Sequence, residues 1–173
     1  SLTTIGHMAF YECVGLKTIT IPASVTSIGE LPFEFCFALT GIHVAEDNAY
    51  FSSDEHGVLF NKEKTVLLEA PGGITGAYEI PDTVTSIAAF AFEESSIASV
   101  VIPGSVQSVG GGIFVRCFEL TEVTIEPGFT EIGGEMFSRC DNLTSITIPE
   151  TVTKIHMTAF AGAKSLAEIR FEG

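Results

Sequence analysis

The chain has 173 residues, of which 46% are hydrophobic, and its 8 basic and 22 acidic side chains give a formal net charge of −14 at pH 7. The apolar content predicts a folded domain with one sizeable core rather than a disordered chain. The acidic balance argues against a nucleic-acid partner, which needs a basic footprint, and no apolar run is long enough to insert into a membrane.

The first residues, SLTTIGHMAF, contain no basic segment followed by an apolar one and therefore do not resemble a signal peptide. They begin inside a unit that recurs further along, and the last residues, EIRFEG, stop just after a predicted strand. We therefore expect the chain to be a piece of a longer protein. Terminal coils without a polar cap expose a strand edge, which predicts weak end-to-end self-association.

The dominant pattern is a repeat of 23 residues. Three segments, which begin at Leu16, Leu120 and Leu143, share the template L-x-x-I-x-I-P-x-x-V-x-x-I-G-x-x-x-F-x-x-C. Since one such unit cannot bury its apolar face alone, the repeat predicts a solenoid of stacked coils. The last strand position of each coil recurs at Ile21, Val44, Ile80, Ile102, Ile125, Ile148 and Phe171.

Two short extended pieces are predicted in each coil. L-x-x-I-x-I predicts a strand with one buried face, which ends at a proline that cannot donate to a ladder, and V-x-x-I-G predicts a second extended piece and a turn. The GGG at 110–112 falls in this turn and lacks the strand-loop-helix setting of a phosphate-binding loop. One phenylalanine per coil is predicted to stack into a continuous aromatic column, formed by Phe10, Phe33, Phe92, Phe114, Phe137 and Phe160.

Four cysteines, Cys13, Cys36, Cys117 and Cys140, share one position of the repeat, where other coils have Ser95 or Ala163. A position that accepts Cys, Ser and Ala indicates a small buried side chain rather than a disulfide framework. Stacked side chains in a parallel array point the same way and need not meet, so we expect four free thiols.

The template resembles the BspA-like class of bacterial leucine-rich repeats, whose units carry the same I-P-x-S-V-x-x-I-G and A-F-x-x-C stretches. The resemblance covers essentially the whole chain. It implies an α/β leucine-rich-repeat solenoid, rich in β-structure, with a parallel sheet of one short strand per coil and with turns or short helical segments on the other side. It also implies a cell-surface or secreted location and macromolecular partners.

We expect a single domain over 1–173. Its coils are predicted near 1–21, 22–44, 45–80, 81–102, 103–125, 126–148 and 149–173, with the third enlarged. The enlargement comes from residues 56–73, HGVLFNKEKTVLLEAPGG, which break the repeat and predict a β-hairpin. Two shortened coils are the alternative. Similar islands recur in BspA-like arrays, which would make the break a standard element of the architecture.

No catalytic, cofactor or metal site is predicted. The histidines His7, His43, His56 and His156 lie at four different positions without metal-ligand spacing. Acidic residues before the hairpin, among them Asp54 and Glu55, do not follow the spacing of a calcium loop. The hydroxyl side chains lie mostly on strands, where β-propensity already explains them. The chain is therefore predicted not to be an enzyme.

The exposed strand face is the predicted binding surface for a protein partner of unknown identity. Small and hydroxyl-bearing side chains dominate it, although the same composition also suits a solvated sheet. The candidate residues are Thr18, Thr20, His43, Ser99, Val101, Glu122, Thr124, Ser145, Thr147, Glu168 and Arg170. The hairpin tip, Asn61, Lys62, Glu63 and Lys64, is a second candidate because it carries two of the eight basic residues.

These features predict a non-catalytic interaction module of a bacterial cell-surface or secreted protein, with adhesion to host or neighbouring-cell proteins as its expected role. The alternative is a structural spacer that presents another domain and has no ligand of its own.

Overall fold

A computed structural model describes all 173 residues as a solenoid built from short strands. In chain order these are β1 (Thr4–Ile5), β2 (Thr18–Ile21), β3 (Ser27–Ile28), β4 (Gly41–Val44), β5 (Phe51–Ser53), β6 (Leu59–Asn61), β7 (Val66–Glu69), β8 (Thr75–Glu79), β9 (Ser86–Ile87), β10 (Ser96–Ile102), β11 (Ser108–Val109), β12 (Glu122–Ile125), β13 (Glu131–Ile132), β14 (Ser145–Ile148), β15 (Lys154–Ile155) and β16 (Glu168–Phe171).

The strands form two rows that follow the two extended pieces of the repeat. The main row contains β2, β4, β8, β10, β12, β14 and β16, and the second row contains β1, β3, β7, β9, β11, β13 and β15. Pairing within each row is parallel. Neither row is one continuous sheet. Pairing stops in both rows at the third coil, and it stops again between β12 and β14 in the main row and between β11 and β13 in the second row.

Turns or short helical segments were expected opposite the main strands, and the structure has turns; the regular structure is entirely β, so the α/β label does not hold. No helix is therefore present that could cross a membrane. After every second-row strand except β7, the chain forms a turn in which two residues four positions apart have positive φ angles, and this left-handed conformation interrupts any helix. The pairs are Met8 and Glu12, Leu31 and Phe35, Phe90 and Glu94, Gly112 and Arg116, Glu135 and Arg139, and Thr158 and Gly162.

Four of the six turns are held by backbone hydrogen bonds to the turn of the next coil. The N–H groups of Met8, Phe10 and Glu12 donate to the carbonyls of residues 30, 32 and 34 over 2.8–3.2 Å. The N–H groups of the turn at 90–94 donate to residues 111, 113 and 115 in the same way. A turn therefore satisfies its backbone only when a complete turn lies next to it.

The thiols extend this coil-to-coil bonding. Cys36 Sγ donates to the carbonyl of Phe10, Cys117 Sγ to that of Phe92 and Cys140 Sγ to that of Phe114, over 3.0–3.1 Å. All four cysteines are free, and only Cys13 is exposed. Between the first and last coils this position is therefore small and buried, and in three coils its thiol also bonds the preceding coil.

The aromatic column is divided in two, so the prediction of one continuous column was wrong. Phe10 stacks on Phe33 at 5.3 Å between ring centroids, but Phe33 has no aromatic neighbour in the third coil. A second column runs from Tyr78 through Phe92, Phe114, Phe137 and Phe160 at centroid distances of 5.1–5.6 Å. The core is divided at the same place, into clusters of 8 and 30 buried residues.

The third coil causes this division because its turn is short. β6 and β7 form an antiparallel hairpin where the broken repeat predicts one, and β7 pairs in parallel with β9, so it occupies the second-row position of this coil. The number of residues from a second-row strand to the next main-row strand shows the difference. It is 11 from Leu67 to Tyr78 in the third coil, but 14 between the equivalent residues Val109 and Val123. With three residues missing, this coil lacks the turn that carries the phenylalanine.

Glu69 takes over part of the missing turn's role. Its Oε1 accepts a hydrogen bond of 3.3 Å from the N–H of Phe33, which in other coils would bond a carbonyl of the next turn. The side chain is 9% exposed. Burial, with a smaller contribution from the charge of Glu34, raises the pKa of Glu69 to about 8, and the Phe33 hydrogen bond only partly opposes the shift.

Only Cys13 should react with a chromogenic thiol reagent in the native protein, and all four cysteines should react in denaturant. Burial raises the pKa of Cys140 to about 12 and also raises the pKa values of Cys36 and Cys117, which suppresses the reactive thiolate. A second fast-reacting thiol in the native protein would contradict the burial of this column, and fewer than four in the unfolded, unreduced protein would reveal a disulfide.

The stability of the protein should depend on the ionisation of Glu69. A carboxyl with a folded pKa of about 8 and an ordinary value of 4.5 favours folding most below pH 4.5, and this contribution is lost as pH rises to about 8. The wild type should therefore lose a few kcal/mol relative to Glu69→Gln between pH 5 and pH 8, measured by urea denaturation. Glu119→Gln, at an exposed position, serves as the control. Parallel pH profiles of Glu69→Gln and wild type would show that the buried carboxyl ionises normally.

Candidate functional site

The predicted binding face lies on the main row, with its side chains in two columns across neighbouring coils. Thr20 pairs with His43, Val101 with Thr124, and Thr147 with Arg170. In the other column, Ser99 pairs with Glu122 and Ser145 with Glu168. Nine of the eleven candidate residues are exposed, and Ser99 and Val101 are half-buried.

The two columns are interrupted at the third coil, because β4 does not pair with β8. The turn before β6 lies next to β4 in place of a main-row strand, and the N–H of Ile42 donates to the carbonyl of Gly57 over 2.9 Å. A Cβ on Gly57 would lie 2.4 Å from the Cα of Gly41, and Gly57 has a φ of +73°, so both space and conformation require glycine here. The face therefore consists of a short part on β2 and β4 and a longer part that begins at β8.

Asp54 holds this turn in place. Its Oδ1 accepts hydrogen bonds from the N–H groups of His56 and Val58 at 3.0 and 2.9 Å, and its Oδ2 accepts one from the buried Tyr78 hydroxyl at 2.7 Å. The Asp54 carboxylate thus fixes the backbone of this turn and connects the turn to a side chain of the core. No group of three or more His, Cys, Asp and Glu side chains is placed to hold a metal ion.

A groove crosses the longer part of the face between β12 and β14. These two strands lie side by side without ladder hydrogen bonds, and the space between them has a volume of about 380 Å³. Four of the predicted residues, Glu122, Thr124, Ser145 and Thr147, line it together with the strand backbones. The groove brings together hydroxyls, one carboxylate and unpaired strand edges, which are the groups that bind an extended polypeptide.

At the end of the face, Arg170 makes two hydrogen bonds of 2.9 Å to Glu168 on the same strand, and these bonds, together with the charge of Arg170, lower the pKa of Glu168. The two residues therefore form an exposed ion pair on the face rather than two independent charges. On the same coil Phe171 is 67% exposed, and Met157 is 83% exposed. End-to-end self-association through this coil stays a prediction.

The hairpin tip is tightly bonded to the protein. Asn61 Oδ1 accepts hydrogen bonds from the N–H groups of Thr65 and Val66 at 2.9 and 2.8 Å. Lys62 Nζ donates to the carbonyl of Glu46 at 3.2 Å, and Lys64 Nζ lies 5.8 Å from the centre of the Phe60 ring. Asn61 and both lysines thus make contacts that stabilise the hairpin, and a partner contact at the tip stays a prediction.

Sequence reasoning missed the gap left by the short third turn and the buried carboxyl of Glu69. The absence of any phenylalanine between Phe33 and Phe92 at the column position was the available signal for the gap. Nothing in the local sequence marked Glu69, because a glutamate at the end of a predicted hairpin strand is normally exposed.

Parallel strands, turns and side chains that all repeat every 23 residues define a leucine-rich-repeat β-solenoid. The family profile described as "BspA type Leucine rich repeat region" matches residues 1–56 and 75–173 in six copies. The chain belongs to this family. The unmatched residues, 57–74, contain β6 and β7.

Solved structures share this fold. A leucine-rich cell-surface protein from Faecalibacterium prausnitzii is 32% identical, with a TM-score of 0.83 over 100% of this chain and 52% of its own. The pneumococcal vaccine antigen PcpA, 24% identical, has a TM-score of 0.87 over 99% of this chain and 43% of its own. A leucine-rich repeat protein from Eubacterium ventriosum, 24% identical, has a TM-score of 0.75 over 97% and 52%. The chain thus spans about half the length of these proteins or less. No curated protein matches the sequence significantly.

The insertion that carries the hairpin should depend on Asn48 for its stability. This buried side chain donates to the carbonyls of Pro22 and Val25 and accepts from the N–H groups of Tyr50 and Phe51, all within 2.8–3.0 Å. Asn48→Ala removes four hydrogen bonds between a buried side chain and the backbone, and it should lower the free energy of unfolding by about 3 kcal/mol or more, measured by urea denaturation.

The matched control is Asn142→Ala, since exposed Asn142 makes one hydrogen bond, to the carbonyl of Phe118 at 2.7 Å. This substitution should cost about 1 kcal/mol or less. Equal losses in the two variants would show that Asn48 does not anchor the insertion.

Proposed function

We propose that the chain is a non-catalytic protein-binding module of a bacterial cell-surface or secreted protein, and that it binds an extended segment of its partner on the main-row face. The observation that carries the proposal is the groove between β12 and β14, where predicted face residues and unpaired strand edges lie together. Backbone groups on such edges supply hydrogen bonds, and the side chains around them supply selectivity.

The composition of the face supports a protein ligand. Thr124 and Thr147 present hydroxyl and methyl groups on short side chains, which lose little rotamer entropy when a partner covers them. Of the predicted face residues only Arg170 is a lysine or arginine, and it is paired with Glu168. The net charge of −14 favours partners with basic surfaces and increases their rate of association.

Adhesion is the role that we propose for this binding, with host or neighbouring-cell proteins as partners. The similarity to a leucine-rich cell-surface protein supports a surface location. The competing proposal is a spacer that presents another part of a longer protein, and it is supported by the coil-to-coil bonding that gives the array a defined length. The two proposals differ in whether the isolated chain binds cells.

Charge and bulk on the face should abolish binding without loss of stability. The double variant Thr124→Arg with Thr147→Arg places two long side chains in the groove at exposed positions. The control is Ser108→Arg, at an exposed position of the second row. Flow cytometry would compare the binding of the wild type and both variants to intact epithelial cells, and their melting temperatures would be measured in parallel. We expect binding by wild type and Ser108→Arg and a loss of at least about tenfold for the double variant.

Equal binding by the double variant and the wild type would remove the main-row face from consideration. Wild-type binding no stronger than that of an unrelated protein of equal net charge would favour the spacer.

A further inference from the structure

A cavity lies beside the short third turn, on the side of the solenoid that carries the turns and not on the main-row face. Its volume is about 240 Å³, and its walls come from the turn at 28–32, from β6 and β7, and from residues 88–90. It occupies the space that a complete third turn would fill. Because the hairpin and the two neighbouring turns build its walls, the cavity is a fixed part of the fold.

The interior of the cavity is mostly apolar. Ile28, Leu31, Leu59 and Leu68 line it, and seven of its eleven lining residues are hydrophobic. Leu59 is fully buried, whereas Leu68 is half-buried and borders the open space. Such a lining favours the hydrocarbon part of a small molecule, and the volume suits a ligand of roughly eight to ten non-hydrogen atoms.

Glu69 supplies the buried polar group of the cavity. Its Oε1 accepts the hydrogen bond from Phe33, whereas its Oε2 accepts no hydrogen bond from the protein. The missing turn also leaves the carbonyl of Ala89 without a hydrogen-bond donor, although the equivalent carbonyl of Glu30 accepts one from Met8. A carboxyl oxygen and a carbonyl oxygen in the same cavity are therefore both available to accept a hydrogen bond from a ligand.

The charges around the cavity all have one sign. Glu30 and Glu69 line it, and no lining residue is basic. Glu34, Glu93 and Glu94 follow on the adjoining turns, with Cys36 beside them. Arg116, a cation on the following turn, is paired with Glu93 and Glu94 at 3.0 and 3.3 Å. A positively charged group would therefore meet attraction from the rim and a direct acceptor at the floor.

We propose that this cavity binds a small primary ammonium ion with an apolar body, whose nitrogen donates to Glu69 Oε2 and whose hydrocarbon part packs against Leu59 and Leu68. This site is separate from the proposed protein-binding face and does not depend on it. The ammonium supplies the donor that Glu69 lacks, and its apolar body covers the surface that the short turn leaves open.

Binding should be coupled to proton release. Burial raises the pKa of Glu69 to about 8, so the carboxyl is largely protonated at pH 6 and must lose its proton to pair with an ammonium ion. The pKa of Glu93, raised to about 7 by burial and by its acidic neighbours, reinforces the same direction. Affinity should therefore rise by about tenfold per pH unit between pH 5.5 and 7.5 and level off above pH 8.

Isothermal titration calorimetry of the unmodified 173-residue chain, with 2-phenylethylammonium chloride as the probe, tests the proposal. 2-Phenylethanol, which replaces the ammonium by a hydroxyl, should bind at least about tenfold more weakly at pH 7.5. Titrations at pH 6.5 in phosphate and in Tris should differ in apparent enthalpy, because the proton released from Glu69 is taken up by the buffer.

Three variants locate the site. Glu69→Gln should weaken binding at least about tenfold and leave only the pH dependence that Glu93 contributes, and Glu119→Gln should bind as the wild type does. Ala88→Leu, at a half-buried lining position, fills the cavity and should also abolish binding while Glu69 stays in place. Because Ala88→Leu leaves Glu69 unchanged, this variant still tests the proposal if Glu69→Gln does not fold. Equal affinities for the ammonium and the alcohol, or unchanged binding in Ala88→Leu, would overturn the proposal.

Discussion

Each coil of this protein is completed by the next one. A turn N–H, a phenylalanine ring and in three coils a thiol all find their partners about 23 residues away, in a neighbouring coil that must present the matching group at the same height. This requirement accounts for the strictness of the repeat. A residue at a repeated position makes contacts in its own coil and in a neighbouring one. A substitution in one coil therefore also removes a contact from its neighbour.

Much of the architecture follows from the sequence for this reason. The strand positions, the closing prolines and the exposed columns of the main row all share the repeat spacing and could be predicted from it. The absence of helices could not, because the left-handed residues of the turns, such as Glu12 and Phe35, are not marked by glycine or by any apolar pattern. The chemistry of their side chains does not reveal a conformation that the neighbouring coil imposes.

The candidate site was predictable to a similar extent. The residues expected on the exposed face lie on the main row, yet the groove between β12 and β14 depends on lost pairing between two strands that both match the template well. The cavity at the third coil depends on a count of residues rather than on their type. Glu69 has meaning only beside Phe33, which lies 36 positions earlier in the sequence.

The divided core has a consequence for how the array comes apart. In a solenoid, cooperativity passes only through the contact between adjacent coils. At the third coil that contact has lost its stacked aromatic pair and most of its turn hydrogen bonds, and buried clusters of 8 and 30 residues lie on either side. The solenoid therefore has two hydrophobic cores of unequal size, with fewer hydrogen bonds between their turns than adjacent turns make elsewhere, and we expect the two cores to unfold separately. Under heat or mechanical load, the smaller unit can open while the larger one remains intact.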